Sequence, residues 1–380
     1  AAGSGDQAAG DAGAGGGQEQ PAARTLSLEE ALQLAEENNV QIKKAKLALE
    51  KKEVAADQAE HAYEKIKDAQ DAPYIGSQFA TYSYIGQAYV GKRAAAAFYK
   101  VAQKAYDVAH EQIKLLIKQK YYAVLQAEDD VKVKEMALQR AQKQLGLANA
   151  RFKVGSAAKI EVLQAEMGLA SAQAKLTAAR NDYRLAVIEL NRQIGLDVHT
   201  PLNLTTKVNK QDVLGDVELQ QYIDEALQNR LDIAQAEANV EVAQATYDTL
   251  LTYKGGRSYD ARQAKYDLEL AKDELEQTRK DVVYEITQAY LNVQAAAEAL
   301  ASAEKAAELA RENMRLTELR YQVGLATGMD MLDASVQLTE AETQRVRMLY
   351  NYNLAKMTFE TAKLAPVSAA AAAAGGFSTG

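Results

Sequence analysis

The sequence predicts an all-α protein built from duplicated long antiparallel helical hairpins. Three observations predict it. Residues 151–165 read RFKVGSAAKIEVLQA and residues 320–334 read RYQVGLATGMDMLDA, so Arg151/Arg320, Phe152/Tyr321, Gly155/Gly324 and Leu163/Leu332 share one register at an offset of 169. Upstream of each segment, apolar residues recur every seven positions: Ile117, Val124, Val131, Leu138, Leu145 and Phe152 in the first copy, Ile286, Val293, Leu300, Ala307, Met314 and Tyr321 in the second. That is the seam of a coiled coil. Composition agrees: the chain is rich in Ala, Glu, Lys, Gln and Leu, with only four Pro in 380 residues.

Taken in order, residues 1–24 are Gly-, Ala- and Gln-rich without periodicity and read as disordered. They carry no visible signal peptide and no initial Met, so removal of a leader or trimming is expected. The first hairpin repeat takes residues 25–194. Its opening AEENNVQI at 35–42 matches ALQNRLDI at 226–233, an offset of 191 that exceeds the hinge offset by 22. The first copy therefore holds extra material, the irregular stretch Asp71–Lys92, where the second has only the short break Lys254–Arg257. From about Ala94 to Arg151 the pattern is unbroken, a helix of roughly 85 Å at 1.5 Å per residue. The second copy runs similarly from Ala261 to Arg320. Each long helix ends at a glycine, which takes φ > 0 and lets a second helix leave. Residues 195–216 form an inter-repeat connector, in which LNLTTKV can pair as a short strand. The second repeat takes 217–365, and 366–380 is a flexible Ala/Gly tail.

Several function classes are excluded. A net charge of −8 with mixed signs argues against a nucleic-acid partner. The absence of Cys excludes disulfides and thiolate metal sites and fits an extracytoplasmic setting. No apolar run reaches the length of a membrane-spanning helix. His61, His110 and His199 are scattered, and no HExxH, GxxxxGK[ST] or GxGxxG is present, so no enzyme activity, cofactor or metal site is expected.

The candidate functional residues lie beside the hinges. Asp330 and Asp333 are spaced i, i+3 and share one helix face; Glu161 and Gln164 take their places in the first copy. Thr327-Gly-Met-Asp330 also reads as a helix start, with Thr327 as N-cap and Asp330 complementing the helix N-terminus. The two roles are compatible. Val154, Gly155, Val323, Gly324, Leu325 and Ala326 are expected to form an exposed apolar rim, of the kind that binds partners.

The opening LSLEEALQLAEENN, the duplicated hairpins and the segment YQVGLATGMDMLDA resemble the TolC-type outer-membrane efflux protein family, over about residues 25–365. The resemblance implies a homotrimer whose helices form a hollow α-barrel, a tunnel for exported small molecules or proteins. It implies two partners, a periplasmic adaptor with helical hairpins and an inner-membrane transporter. It places the Gly hinges at the periplasmic tip, and Asp330 and Asp333 at the constriction that closes the tunnel, with Glu161 adding to it. Two rings of three carboxylates there attract cations, repel anions and raise the carboxylate pKa values. The family often carries a basic residue where this chain has Ala326; the nearest one in the first copy is Lys159. A larger departure concerns the membrane barrel, to which usual members give two β-strands per copy. A spanning strand needs roughly 9–11 residues. The first copy offers at most Gln78–Val90 and the second offers none, so the barrel strands are expected to be absent or vestigial. The expected location is the extracytoplasmic envelope: periplasm, outer membrane or the wall side of a monoderm. The alternative is a coiled-coil spacer or scaffold without transport, which needs no duplicated hinge with paired carboxylates.

Overall fold

A computed structural model describes residues 24–71, 76–207 and 219–365. The chain is all-α, as expected. A strand β1 (Arg24–Leu26) leads into α1 (Leu28–Asn38), α2 (Val40–Gln70), the short α3 (Gly76–Phe79) and a π-helical turn (Tyr82–Gly86). Then come α4 (Gln87–Lys153), α5 (Lys159–Ile194), β2 (Leu202–Leu204), α6 (Leu219–Asn229), α7 (Leu231–Lys254), α8 (Tyr259–Gln322) and α9 (Gly328–Ala362). The two longest helices hold 67 and 64 residues, so each runs roughly 100 Å at 1.5 Å per residue.

The duplication is visible element by element. α1 and α6 are both 11 residues long and begin 191 positions apart. Each is followed by a break, at Asn39 and Arg230, after which α2 and α7 begin. In the first copy Asn39 caps α2 through its side chain, accepting from the Gln41 amide at 2.8 Å. In the second copy the break is held by charge. Arg230 is 1% exposed, and its guanidinium donates to Asp232 at 2.6 and 3.0 Å, to Glu285 on α8 at 2.8 Å and to the Ala362 carbonyl at 3.3 Å. A buried cation needs such partners, because desolvation alone would expel it.

β1 pairs in parallel with β2, Arg24 opposite Leu202 and Leu26 opposite Leu204. The connector segment LNLTTKV thus supplies a strand. The buried hydroxyl of Tyr121 fixes this ribbon to α4, donating to the Leu26 carbonyl and accepting from the Thr206 amide, both at 3.1 Å. The disorder expected over 1–24 falls outside the described residues except at Arg24, whose backbone is held by pairing. The tail 366–380 and connector residues 208–216 lie outside them too.

The stretch that comes nearest to a membrane strand in the sequence is helical. Of Gln78–Val90, all but Ala80 and Thr81 lie in α3, the π turn or α4. Among the described residues no neighbouring strand offers a ladder there, whereas Tyr82 has an apolar bed on Leu250, Ala261 and Ala264. α4 begins at Gln87, seven residues upstream of Ala94, where the sequence reading began it. At the matching point of the second copy, α7 and α8 are joined by four residues, with Gly255 at φ 76° and Ser258 capping α8. Among the described residues β1 and β2 are the only strands, and no helix is long and apolar enough to cross a membrane.

α4 is the central element, packing on α2 and α5 of its own repeat and on α7 and α9 of the other. In the second copy the heptad seam is buried at every position from Ile286 to Tyr321. The first copy differs. Ile117 and Val124 are buried, Val131, Leu138 and Leu145 are half-buried, and Phe152 is 42% exposed. Lower down the buried line moves to Val133, Ala137, Ala141 and Ala148, because there α4 packs between α5 and α9 and presents a different face.

Candidate functional site

Both hinges fold the same way. At the end of α4 the Gly155 amide donates to the Phe152 carbonyl at 3.1 Å and the Ser156 amide to the Arg151 carbonyl at 2.9 Å. At the end of α8 the Gly324 amide donates to the Tyr321 carbonyl at 3.1 Å and the Leu325 amide to the Arg320 carbonyl at 2.8 Å. These are paired Schellman closures, which need a residue at positive φ. Gly155 at φ 74° and Gly324 at φ 80° supply it. The arginines repeat as well: Arg151 donates to the Ser156 carbonyl at 3.3 Å and Arg320 to the Leu325 carbonyl at 3.4 Å.

Each hinge pushes apolar side chains into solvent. Val154 is 78% exposed, and Val323 and Leu325 are each 70% exposed. Of the apolar residues expected to be exposed at the hinges, these three are and one is not. Ala326 is half-buried, turned onto the cluster of Met314, Tyr321 and Met331. Ile160 and Met329, which are register mates, are exposed beside the rim. The sequence reading missed them, although the 169-residue offset aligns them.

The two tips are joined within the chain. The Arg151 guanidinium lies over the Tyr321 ring, 4.4 Å from its centre, and donates to the Tyr321 carbonyl at 3.3 Å. The Tyr321 hydroxyl donates to Glu161 Oε2 at 3.4 Å. Tyr321 is 1% exposed, and burial pushes its phenol pKa up. Glu161 also packs beside Gly328 at the start of α9, where a Cβ on Gly328 would come 3.6 Å from the Glu161 Cγ. Glu161 thus meets the second repeat as well as the tip. The heptad reading took Tyr321 for packing alone and did not reveal this junction.

Asp330 begins α9 as a capping residue. The Thr327 amide donates to Asp330 Oδ2 at 2.7 Å, the Thr327 hydroxyl to the same oxygen at 2.8 Å, and the Asp330 amide to Thr327 Oγ1 at 3.1 Å. This is a capping box with Asp at its third position. The Thr327 backbone donor, then its hydroxyl, hold the Asp330 pKa below the usual carboxylate value, with a smaller contribution from Arg320. In the single protomer the shift is therefore opposite to the one expected for a crowded ring: donors surround this carboxylate, not other carboxylates. Asp333, one turn on, is exposed.

Behind the tip, the repeats meet through a buried polar node. Glu342 on α9 is 5% exposed; Arg311 of α8 donates to its Oε1 at 3.2 Å, and Arg140 of α4 approaches its Oε2 at 3.5 Å. Arg140 also donates to Thr339 at 3.1 Å, and burial draws its pKa down. Lys134 donates to Thr343 at 2.7 Å, Gln144 to the Gly328 carbonyl at 3.2 Å, and Lys143 pairs with Glu318. Among the described residues no group of three His, Asp or Glu is placed to hold a metal.

This arrangement has known relatives. The family model described as "Outer membrane efflux protein" matches residues 90–196 and 251–362, more than half of the chain. TolC of Salmonella enteritidis is 23% identical over 290 residues, 64% of this chain and 59% of that protein. TolC of Escherichia coli K12 is 27% identical over 115 residues, 30% of this chain and 23% of that protein. The chain thus spans less than two thirds of the length of these curated relatives. Among solved structures, VceC of Vibrio cholerae superposes with a TM-score of 0.67 at 17% identity, covering 86% of this chain and 94% of that one. Two hairpins with matching hinges on a TolC-like helical frame, and a family model that covers both repeats, lead to one conclusion: the chain belongs to the outer membrane efflux protein family.

Proposed function

We propose that the chain is the protomer of a homotrimeric export tunnel of the cell envelope. In this reading three chains close a twelve-helix α-barrel, and the Gly155 and Gly324 hinges form its tip. Asp330 and Asp333, with Glu161 beside them, line the constriction there. Val154, Val323 and Leu325 form the rim that docks a periplasmic adaptor with helical hairpins, which couples the tunnel to an inner-membrane transporter. The cargo is a small molecule or protein.

The observation that carries the reading is the duplicated hinge, two identical Schellman closures at one end with exposed apolar side chains at each. An isolated protomer also leaves long helices uncovered. On α8, Leu270, Tyr284, Leu291, Leu309 and Leu316 are all more than 45% exposed. On α2, Val40, Leu47 and Val54 are exposed at seven-residue spacing. Apolar stripes of this kind call for further helices.

Native mass spectrometry tests the assembly. A trimer at micromolar concentration supports the reading; a monomer or dimer counts against it. Pull-down of a hairpin adaptor by the parent chain, lost on changing Val154, Val323 and Leu325 to Ser, tests the rim.

A further inference from the structure

The junction inside the protomer is a template for the junction between protomers. In a ring of two-repeat chains, the second repeat of one chain faces the first repeat of the next as the first faces the second within a chain. Moving each contact by the 169-residue offset therefore names the residues that meet across the subunit boundary. Arg151 over Tyr321 becomes Arg320 over Phe152. Glu161 beside Gly328 becomes Asp330 beside Lys159. The hydroxyl of Tyr321 on Glu161 has no counterpart, because Phe152 carries none.

We infer that the subunit boundary at the tip is a second copy of this chain seated with Arg320 of one protomer on Phe152 of its partner and Asp330 facing Lys159 of that partner. The inference rests on the trimeric ring proposed above and deepens it. Three observations support it. Tyr321 is 1% exposed under its cover, whereas its register mate Phe152 is 42% exposed and has the apolar face such a cover would take. Arg320 already grips its own turn at Leu325 as Arg151 grips Ser156, so its guanidinium is poised as the template requires. The charges also complement each other. Where the template sets Gly328 against Glu161, the copied junction sets a cation against Asp330. Lys159 stands at the first turn of α5 with its ammonium over the Phe152 ring, 5.7 Å from its centre, so in the single protomer a cation already lies where the copied junction sets Arg320, and seating the partner turns Lys159 toward Asp330.

The tip then contains two kinds of joint. The one inside each chain is held by a hydrogen bond between tyrosine and carboxylate under a stacked arginine. The one between chains is held by a cation on an aromatic face and an exposed ion pair. Exposed pairs weaken with salt, because mobile ions screen them. The joints between chains are therefore the ones that loosen as ionic strength rises.

The chain contains no cysteine, so each introduced pair is unique. The test combines Phe152→Cys with Arg320→Cys and treats the protein with a short bis-maleimide. Covalent dimers and trimers are expected on a denaturing gel, and none from either single variant. Arg151→Cys with Tyr321→Cys serves as the control and should link within one chain, as read by peptide mapping. A photo-crosslinking residue at 152 provides a second route that leaves Arg320 in place; its adduct should map to 319–323 of the partner chain. With that probe, Lys159→Glu should cut the inter-chain yield severalfold and Lys159→Arg should preserve it. A native trimer whose control pair links while 152 and 320 never do would overturn the inference and leave the tunnel reading intact. A chain that is monomeric by native mass would overturn both.

Discussion

Arg140 of the first repeat reaches the buried carboxylate of Glu342 in the second, 3.5 Å away and 202 residues further along the chain. The pair, with Arg311 on the other side, locks α4 onto the α8/α9 hairpin. Removing the carboxylate leaves a half-buried arginine without its counter-charge. Glu342→Ala should therefore destabilise the fold by about 3–5 kcal/mol, the usual cost of breaking a buried pair on one side. Glu342→Gln, which keeps an acceptor, should cost less. Urea unfolding of the two variants checks the order; equal stability to the parent would show that the node contributes nothing.

Tyr321→Phe removes one hydroxyl and keeps the stacked ring. The global fold should survive, with a loss of about 1 kcal/mol for one hydrogen bond. The effect should be local, because the lost contact joins the two tips. Hydrogen exchange should speed up at 151–161 and 320–330 and remain unchanged around Tyr121. Uniformly faster exchange would place the role of Tyr321 in the core instead of at the junction.

Asp330 and Asp333 should separate on stability. Donors from Thr327 hold the Asp330 pKa low in the folded chain. A carboxyl with a depressed folded pKa contributes stability that is complete above its unfolded pKa and fades as pH falls through the folded one. Asp330→Asn should thus lower the melting temperature at pH 7 and have progressively less effect below about pH 4. Asp333→Asn, at an exposed position one turn on, should leave melting at pH 7 unchanged. If both line the constriction, each variant should weaken divalent-cation binding in calorimetry on the assembled protein, and the double variant should weaken it most.

Gly324→Ala puts a Cβ where nothing lies within 4 Å, so space is no obstacle. The backbone is the obstacle, since φ 80° costs an L-residue about 1–2 kcal/mol. The variant should lose about that much stability, and Gly155→Ala should behave alike because φ there is 74°. Gly91→Ala, on a helix with open space around it, serves as the control and should be neutral or stabilising. Equal melting of all three would show that the hinges tolerate another turn.

The features that were legible in the sequence are those set by local physics. Gly155 and Gly324 announced the hinges because only glycine enters positive φ freely. The seam Ile286–Tyr321 announced α8 because this helix keeps one buried face throughout. The same rule misplaced Phe152, since α4 changes neighbours along its length and its buried face moves to Val133, Ala137 and Ala141. Gln78–Val90 was ambiguous for a related reason: aromatic and β-branched residues suit a strand, but only a partner strand makes one. Arg230 and the Arg140–Glu342 pair were invisible, because a buried charge is recognised by the neighbours that folding brings to it: Glu285 lies 55 residues from Arg230, and Glu342 lies 202 from Arg140. At the site, Asp330 was legible as both cap and candidate gate, and the capping geometry is present. Tyr321 on Glu161 could not be read, because it depends on how two hairpins lean together.

The four-residue turn between Lys254 and Tyr259 bears on the order in which the chain acquires its structure. Closing a short loop costs little entropy, so α7 and the facing part of α8 can zip from that turn outward as a local event. The contacts of α4 with α9, and the β1–β2 pairing, join segments some two hundred residues apart and wait for the rest of the chain. Both repeats have a short hinge at the other end, between α4 and α5 and between α8 and α9, so they differ only here: α2 reaches α4 through the longer excursion of α3 and the π turn. A ribosome delivers the first repeat first, and the α9 surface on which α4 packs arrives only when the second repeat emerges.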